Sequence, residues 1–126
     1  MTVLDDTTER QRFSGETWTA ACPYDHLIPN RGVGVLLDDG SQAALFRLDD
    51  GSLYAIGNID PFTQAAVMSR GIVGDRAGQA MVQSPIGKQA FGLADGQCLD
   101  DPTVAVPVYP VRVTPGGHVY VGRPAA

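Results

Sequence analysis

The sequence predicts an all-β domain built from many short antiparallel strands, a sandwich or small barrel. Three observations carry that expectation. The 126-residue chain places 15 glycines and 9 prolines at short intervals, and the runs between them are four to seven residues rich in Val, Leu, Tyr, Phe and Thr. Asp-Gly pairs separate several of these runs, where glycine supplies the positive φ of a tight hairpin turn. No helical period is sustained anywhere.

In chain order, the first strand is Thr17-Trp18-Thr19-Ala20-Ala21-Cys22, ended by Pro23. Tyr24–Asn30 is too short for a stable helix and carries Pro29, so a single turn is expected. Gly32–Leu37, Ala43–Arg47 and Leu53–Gly57 are separated by Asp38-Asp39-Gly40 and Asp49-Asp50-Gly51-Ser52, the pattern of a three-stranded meander. The stretch 58–78 has no clear strand, and Thr63–Arg70 has room for one or two helical turns before Gly71 and Gly74. Gln79–Gln83 alternates polar and apolar and enters a tight loop at Ser84–Lys88. A strand at Lys88–Leu93 leaves that loop, and Asp95-Gly96 closes the hairpin. Further strands are expected at Val104–Val106, Val108–Thr114 and His118–Gly122, with Pro115-Gly116-Gly117 as the last turn. Pro107 and Pro110 remove ladder donors, which places their segment at a sheet edge or a bulge.

Composition narrows the function classes. At this length the chain is one domain, residues 16–123, preceded by an expected mobile N-terminal tail at 1–15. The net charge of −5, with no run of Lys or Arg, disfavours nucleic acid as a partner. No apolar run is long enough for a membrane helix, and the acidic start lacks the basic and apolar regions of a secretory signal. Two cysteines, Cys22 and Cys98, in strand contexts are expected to be reduced thiols in a cytoplasmic protein.

Few residues carry chemistry. Asp25-His26 lacks a third ligand, and His118 is remote in sequence. Neither cysteine has a Cys-x-x-Cys partner or a helix N-terminus to lower its pKa. Gly32-Val33-Gly34 opens a strand rather than a helix, so it is no phosphate loop. The informative stretches are two loops. One is Asn58-Ile59-Asp60-Pro61-Phe62, followed by Ser69-Arg70-Gly71-Ile72-Val73. The other is Ser84-Pro85-Ile86-Gly87-Lys88-Gln89-Ala90-Phe91-Gly92-Leu93-Ala94-Asp95-Gly96.

From Trp18 to Gly122 the chain resembles a Rieske iron–sulfur domain, with these two stretches standing as its cluster-binding loops within a subdomain at 58–98. Asn58, Pro61 and Pro85 match the family pattern. Asp60 and Ser84 occupy its two cysteine positions, while Phe62 and Gly87 occupy its two histidine positions. A Rieske centre takes two thiolates and two imidazoles, so the resemblance implies a scaffold without its cluster and no metal site in this chain. Asp60 and Ser84 are then expected to hydrogen-bond loop backbone, and Phe62 to fill the apolar space of the cluster.

Asn-Ile-Asp-Pro-Phe, Ser-Pro-Ile-x-Lys-Gln-x-Phe and Leu93-Ala94-Asp95-Gly96-Gln97-Cys98 further resemble the small subunit of assimilatory NAD(P)H-dependent nitrite reductase. That resemblance implies an accessory subunit with no catalytic residue and no cofactor of its own. Its partner would be a large subunit carrying FAD, a [4Fe–4S] cluster and sirohaem, which reduces nitrite to ammonia. Phe62, Arg70, Ile86 and Lys88, in or beside the two loops, are the expected contacts to that partner. Two alternatives stand beside this reading: a Rieske-type ferredoxin that transfers electrons, and a free-standing binding module.

Overall fold

The computed structural model describes residues 16–124, and the side chains of residues 18–122. The tail expected at 1–15 lies outside the described residues.

Among the described residues, ten strands form three antiparallel sheets. β1 (Glu16–Pro23), β9 (Val111–Val113) and β10 (His118–Pro124) make an outer sheet in the order β1-β10-β9. β2 (Arg31–Leu36), β3 (Gln42–Arg47), β4 (Leu53–Gly57) and β8 (Val108–Tyr109) make a central sheet in the order β2-β3-β4-β8. β5 (Ile72–Arg76), β6 (Gln79–Gln83) and β7 (Ala90–Gly92) make a small sheet in that order.

The central sheet is apolar on both faces, and β3 shows why. Ala43, Ala44, Leu45 and Phe46 are all fully buried. Successive strand residues point to opposite faces, so a continuous apolar run needs cover on both. Ala43 and Leu45 join Val119 and Val121 of β10 in one core, against the outer sheet. Ala44 and Phe46 join Met68, Val82, Phe91 and Leu93 in a second core, against the small sheet. Gly32 is a glycine because an added Cβ would lie 2.6 Å from both the Phe46 ring and the Ser69 carbonyl oxygen. The 3₁₀ turn Met68–Arg70 is thereby seated directly on β2.

The meander turns match their expectation closely. The pentapeptide Leu-Asp-Asp-Gly-Ser occurs twice, at 37–41 and 48–52, and folds the same way each time. Leu37 N–H donates to the Ser41 carbonyl at 2.8 Å and Leu48 N–H to the Ser52 carbonyl at 2.9 Å. The carboxylates of Asp39 and Asp50 accept the Ser41 and Ser52 amides, each at 2.9 Å, and Gly40 and Gly51 carry the positive φ.

Thr63–Arg70 holds one turn, the 3₁₀ turn Met68–Arg70, within the one or two expected, and residues 59–66 fold back on themselves through an Ile59–Ala66 bridge. Three other expectations are corrected. The supposedly strandless 58–78 contains β5, whose hairpin to β6 turns at Ala77 and Gly78, both at positive φ. Gly71, Gly74 and the polar Asp75-Arg76 mask that strand in the sequence. Val104–Val106 makes only an isolated bridge, Ala105 with Gln97. The expected strand 108–114 is split at Pro110, whose neighbours join different sheets. β8 and β9 are each the edge of their sheet, as the two prolines require.

Candidate functional site

Two loops converge beside Phe91, and each is organised by one short polar side chain. In the first, Asp60 Oδ1 accepts the Phe62 amide at 2.8 Å. The Asp60 carbonyl accepts the Gln64 amide at 2.7 Å, and Asp60 N–H donates to the Ala65 carbonyl at 2.8 Å. Asn58 ties this loop to the 3₁₀ turn, its Oδ1 accepting the Ser69 amide at 2.8 Å. In the second, Ser84 Oγ accepts the amides of Ile86 at 3.3 Å and Gly87 at 3.2 Å. The Ser84 carbonyl also accepts the Lys88 amide at 3.1 Å, and Lys88 holds a left-handed φ of 70°.

The two organisers meet. Ser84 Oγ donates to Asp60 Oδ2 at 2.5 Å, across 24 residues of chain, and both side chains are fully buried. Each was expected to bond backbone in its own loop, and each does; their bond to one another is the part that spacing alone did not reveal. Gly87 lies over this pair. A Cβ added there would sit 2.8 Å from Asp60 Oδ2 and 2.5 Å from Gln89 Oε1. Gln89 Oε1 is buried and has no hydrogen-bond partner among the described residues. Phe62 does less than expected: it is 39% exposed, with its ring tilted against Phe91 at a centroid distance of 6.2 Å. The interior between the loops belongs to the carboxylate, not to the phenyl ring.

Burial pushes the Asp60 carboxyl up, but the Ser84 hydroxyl and the donors of Phe62 and Thr63 outweigh it, leaving its pKa below the ordinary carboxylate range. A depressed folded-state pKa means that this stabilisation is complete above the unfolded pKa, near 4, and is lost as pH falls through the folded value. Asp60→Asn should therefore flatten the fall of stability below about pH 4. Urea unfolding at a series of acidic pH values checks this. Equal slopes for variant and wild type would remove Asp60 from the acid response.

The comparisons with known proteins can be set against this geometry. A family model described as a Rieske-like [2Fe–2S] domain matches residues 17–122. The nitrite reductase (NADH) small subunit of Escherichia coli K12 is 41% identical over 100 residues, covering 79% of this chain and 92% of that one. The chain belongs to the Rieske-like family of nitrite reductase small subunits. A crystal structure described as an NADH-dependent nitrite reductase small subunit from Mycobacterium tuberculosis superposes with a TM-score of 0.86 at 75% identity, covering 88% of this chain and 98% of that one. A nitrite reductase [NAD(P)H] large subunit from Klebsiella oxytoca is 36% identical over 136 aligned residues, which take in 94% of this chain and 14% of that protein.

The Rieske-like loops of this chain do not fit a [2Fe–2S] centre. The positions that the family resemblance assigns to ligands offer a carboxylate, a phenyl ring, a hydroxyl and a hydrogen atom, at Asp60, Phe62, Ser84 and Gly87, where two thiolates and two imidazoles are needed. Asp60 and Ser84 are committed to each other, and the space a side chain at 87 would enter is taken by the Asp60 carboxylate. The cysteines lie elsewhere. Cys98 is buried in the core beneath the small sheet, while Cys22 packs against the core under the outer sheet, where burial pushes its thiol pKa up. His26 is exposed on a 3₁₀ turn, and His118 packs its ring 5.8 Å from Tyr120. Among the described residues no group of three or more His, Cys, Asp or Glu converges as a metal site, and no helix is long and apolar enough to cross a membrane.

The Rieske-like tip presents a mixed surface. Ile86 is 54% exposed, and Lys88 and Arg70 are exposed. The Gln83 amide donates to the Lys88 carbonyl at 2.9 Å, and Ile72 pairs with Gln83, so β5 brings a further exposed isoleucine to this end of the small sheet. Sequence reasoning did not anticipate Gln89, or Arg31 at the start of β2 beside the 3₁₀ turn. A polar residue just after the loop was the only sign of the first, and the second left none.

Proposed function

We propose that this chain is the accessory small subunit of a cytoplasmic NAD(P)H-dependent nitrite reductase. It binds the large subunit that carries flavin, [4Fe–4S] and sirohaem, and it brings no redox centre of its own. The observation that carries this reading is the Klebsiella oxytoca large subunit, one stretch of which is 36% identical to nearly the whole of this chain. A domain that stands alone in one system and within the large polypeptide in another has that polypeptide as its natural partner. The Asp60–Ser84 bond supports a cofactor-free role, because it holds the two loops together without metal.

Affinity purification of the tagged chain co-expressed with its large subunit tests this. The expected result is a coloured complex whose nitrite-dependent NAD(P)H oxidation falls at least about tenfold when the small subunit is stripped away, with the released subunit colourless. Ten-fold corresponds to about 1.4 kcal/mol of lost transition-state stabilisation. A large subunit that neither co-purifies nor changes activity would overturn the proposal.

A further inference from the structure

Three of the six Lys and Arg side chains described are occupied, and of the other three Lys88 lies outside the groove that Arg31 and Arg70 line. Arg47 donates to the Leu27 carbonyl at 3.0 Å and lies 4.5 Å over the Tyr24 ring. Arg76 pairs with Asp100 at 2.9 Å, and Arg112 lies 5.9 Å from the Trp18 ring. Arg31 and Arg70 are different. Both are exposed, neither side chain makes an ion pair or hydrogen bond among the described residues, and both line one groove of about 450 Å³. The groove forms where the 3₁₀ turn crosses the start of β2, and Asn30, Ser69, Ile72, Val73 and the backbone of Gly32 and Gly71 complete it. Its volume is within the range of ligand sites, roughly 300–1,000 Å³.

Two guanidinium groups sharing a groove repel one another unless an anion lies between them. This chain carries 14 acidic residues against 9 basic ones, yet among the described residues no acid is paired with Arg31 or Arg70, and those of the adjoining groove bond elsewhere. Asp49, Asp50 and Asp75 line that neighbour. Asp49 accepts the Asn30 amide at 2.7 Å, Asp50 accepts the Ser52 amide at 2.9 Å, and Asp75 accepts the Gly78 amide at 3.0 Å. Among the described residues, then, no acidic side chain supplies the anion.

We propose that Arg31 and Arg70 receive a carboxylate carried on an extended segment of the large subunit. This rests on the partner reading above and adds the place and chemistry of contact. Guanidinium forks favour carboxylate through paired charge-assisted bonds. The surroundings suit a polypeptide better than a free ion. β2 and β5 are both edge strands with unpaired backbone, and Ile72 is 65% exposed at the rim. An extended acidic segment can satisfy a strand edge, cover the isoleucine and place its carboxylate in the groove at once.

The test measures binding of the intact large subunit to wild type, Arg31→Gln, Arg70→Gln and the double variant, over a range of salt. Each single change should raise Kd about tenfold and the double change about a hundredfold, with a flatter salt dependence. Thermal unfolding should stay unchanged, because both side chains are exposed. Full affinity in the double variant overturns the groove and leaves the partner reading intact. No binding by wild type overturns both. Inorganic phosphate, titrated into labelled protein and followed by amide shifts, gives the remaining arm. Saturation at 31 and 70, with large-subunit binding insensitive to the substitutions, overturns the proposed occupant in favour of a small free anion.

Discussion

Asp60→Ala should lower the unfolding free energy by about 3 kcal/mol and weaken large-subunit binding along with it. The substitution removes the acceptor for the Ser84 hydroxyl and for the Phe62 amide, at a site with no exposure to water. A buried donor without its acceptor costs roughly 1–3 kcal/mol, and two are stranded at once. Ser84→Ala should cost about 2 kcal/mol, since it strips the carboxylate of one donor and the amides of Ile86 and Gly87 of their acceptor. The double variant should cost less than the sum by about 1 kcal/mol or more, because each single change orphans a group that the other removes. Urea unfolding of the four proteins measures the cycle. Additive losses would mean that the loops are held together by the core alone.

Gly87→Ala should cost about 2 kcal/mol, a second consequence of the same pair. The added methyl would meet the Asp60 carboxylate and the Gln89 amide oxygen. Gln89 is a flexible side chain and can yield, whereas Asp60 is pinned by Ser84 and the Phe62 amide. In an Asp60→Ala background the methyl should therefore be tolerated, with roughly half or more of its cost recovered. The same denaturation experiment decides it. An unchanged penalty in that background would place the obstruction at Gln89. The pair of predictions also bears on rebuilding a cluster. Histidine at 87 cannot precede replacement of Asp60, so ligands must be restored on both loops together.

How much of this was legible depends on the range of the interaction. The meander and its turns were readable because each Leu-Asp-Asp-Gly-Ser closes through its own residues. The position of β8 and β9 at sheet edges followed from the missing amides of Pro107 and Pro110. β5 escaped because its glycines looked like breaks, and because its hairpin turns on Ala77-Gly78 rather than on Asn-Gly or Asp-Gly. The roles of Asp60 and Ser84 as loop organisers were visible from residue type, since short polar side chains bond nearby amides. Their bond to each other was not, because it depends on how two distant loops are brought together by the packing of Phe91, Val82 and Met68. Phe62 was misplaced for a related reason: a phenyl ring is apolar, but the interior it was assigned was already claimed by a carboxylate with donors from Ser84, Phe62 and Thr63 around it.

The sheet buried on both faces has a consequence for how the molecule comes apart. β3 lends Ala43 and Leu45 to one core and Ala44 and Phe46 to the other, so neither core has a private wall. Local opening, which in layered proteins usually sheds one layer while the rest stays folded, has no clean seam here. Loss of the small sheet would expose Phe46 and Ala44 and soften the strand that also supports β10. The described residues should therefore open as one cooperative unit, and work done at the two loops should be resisted by both cores at once.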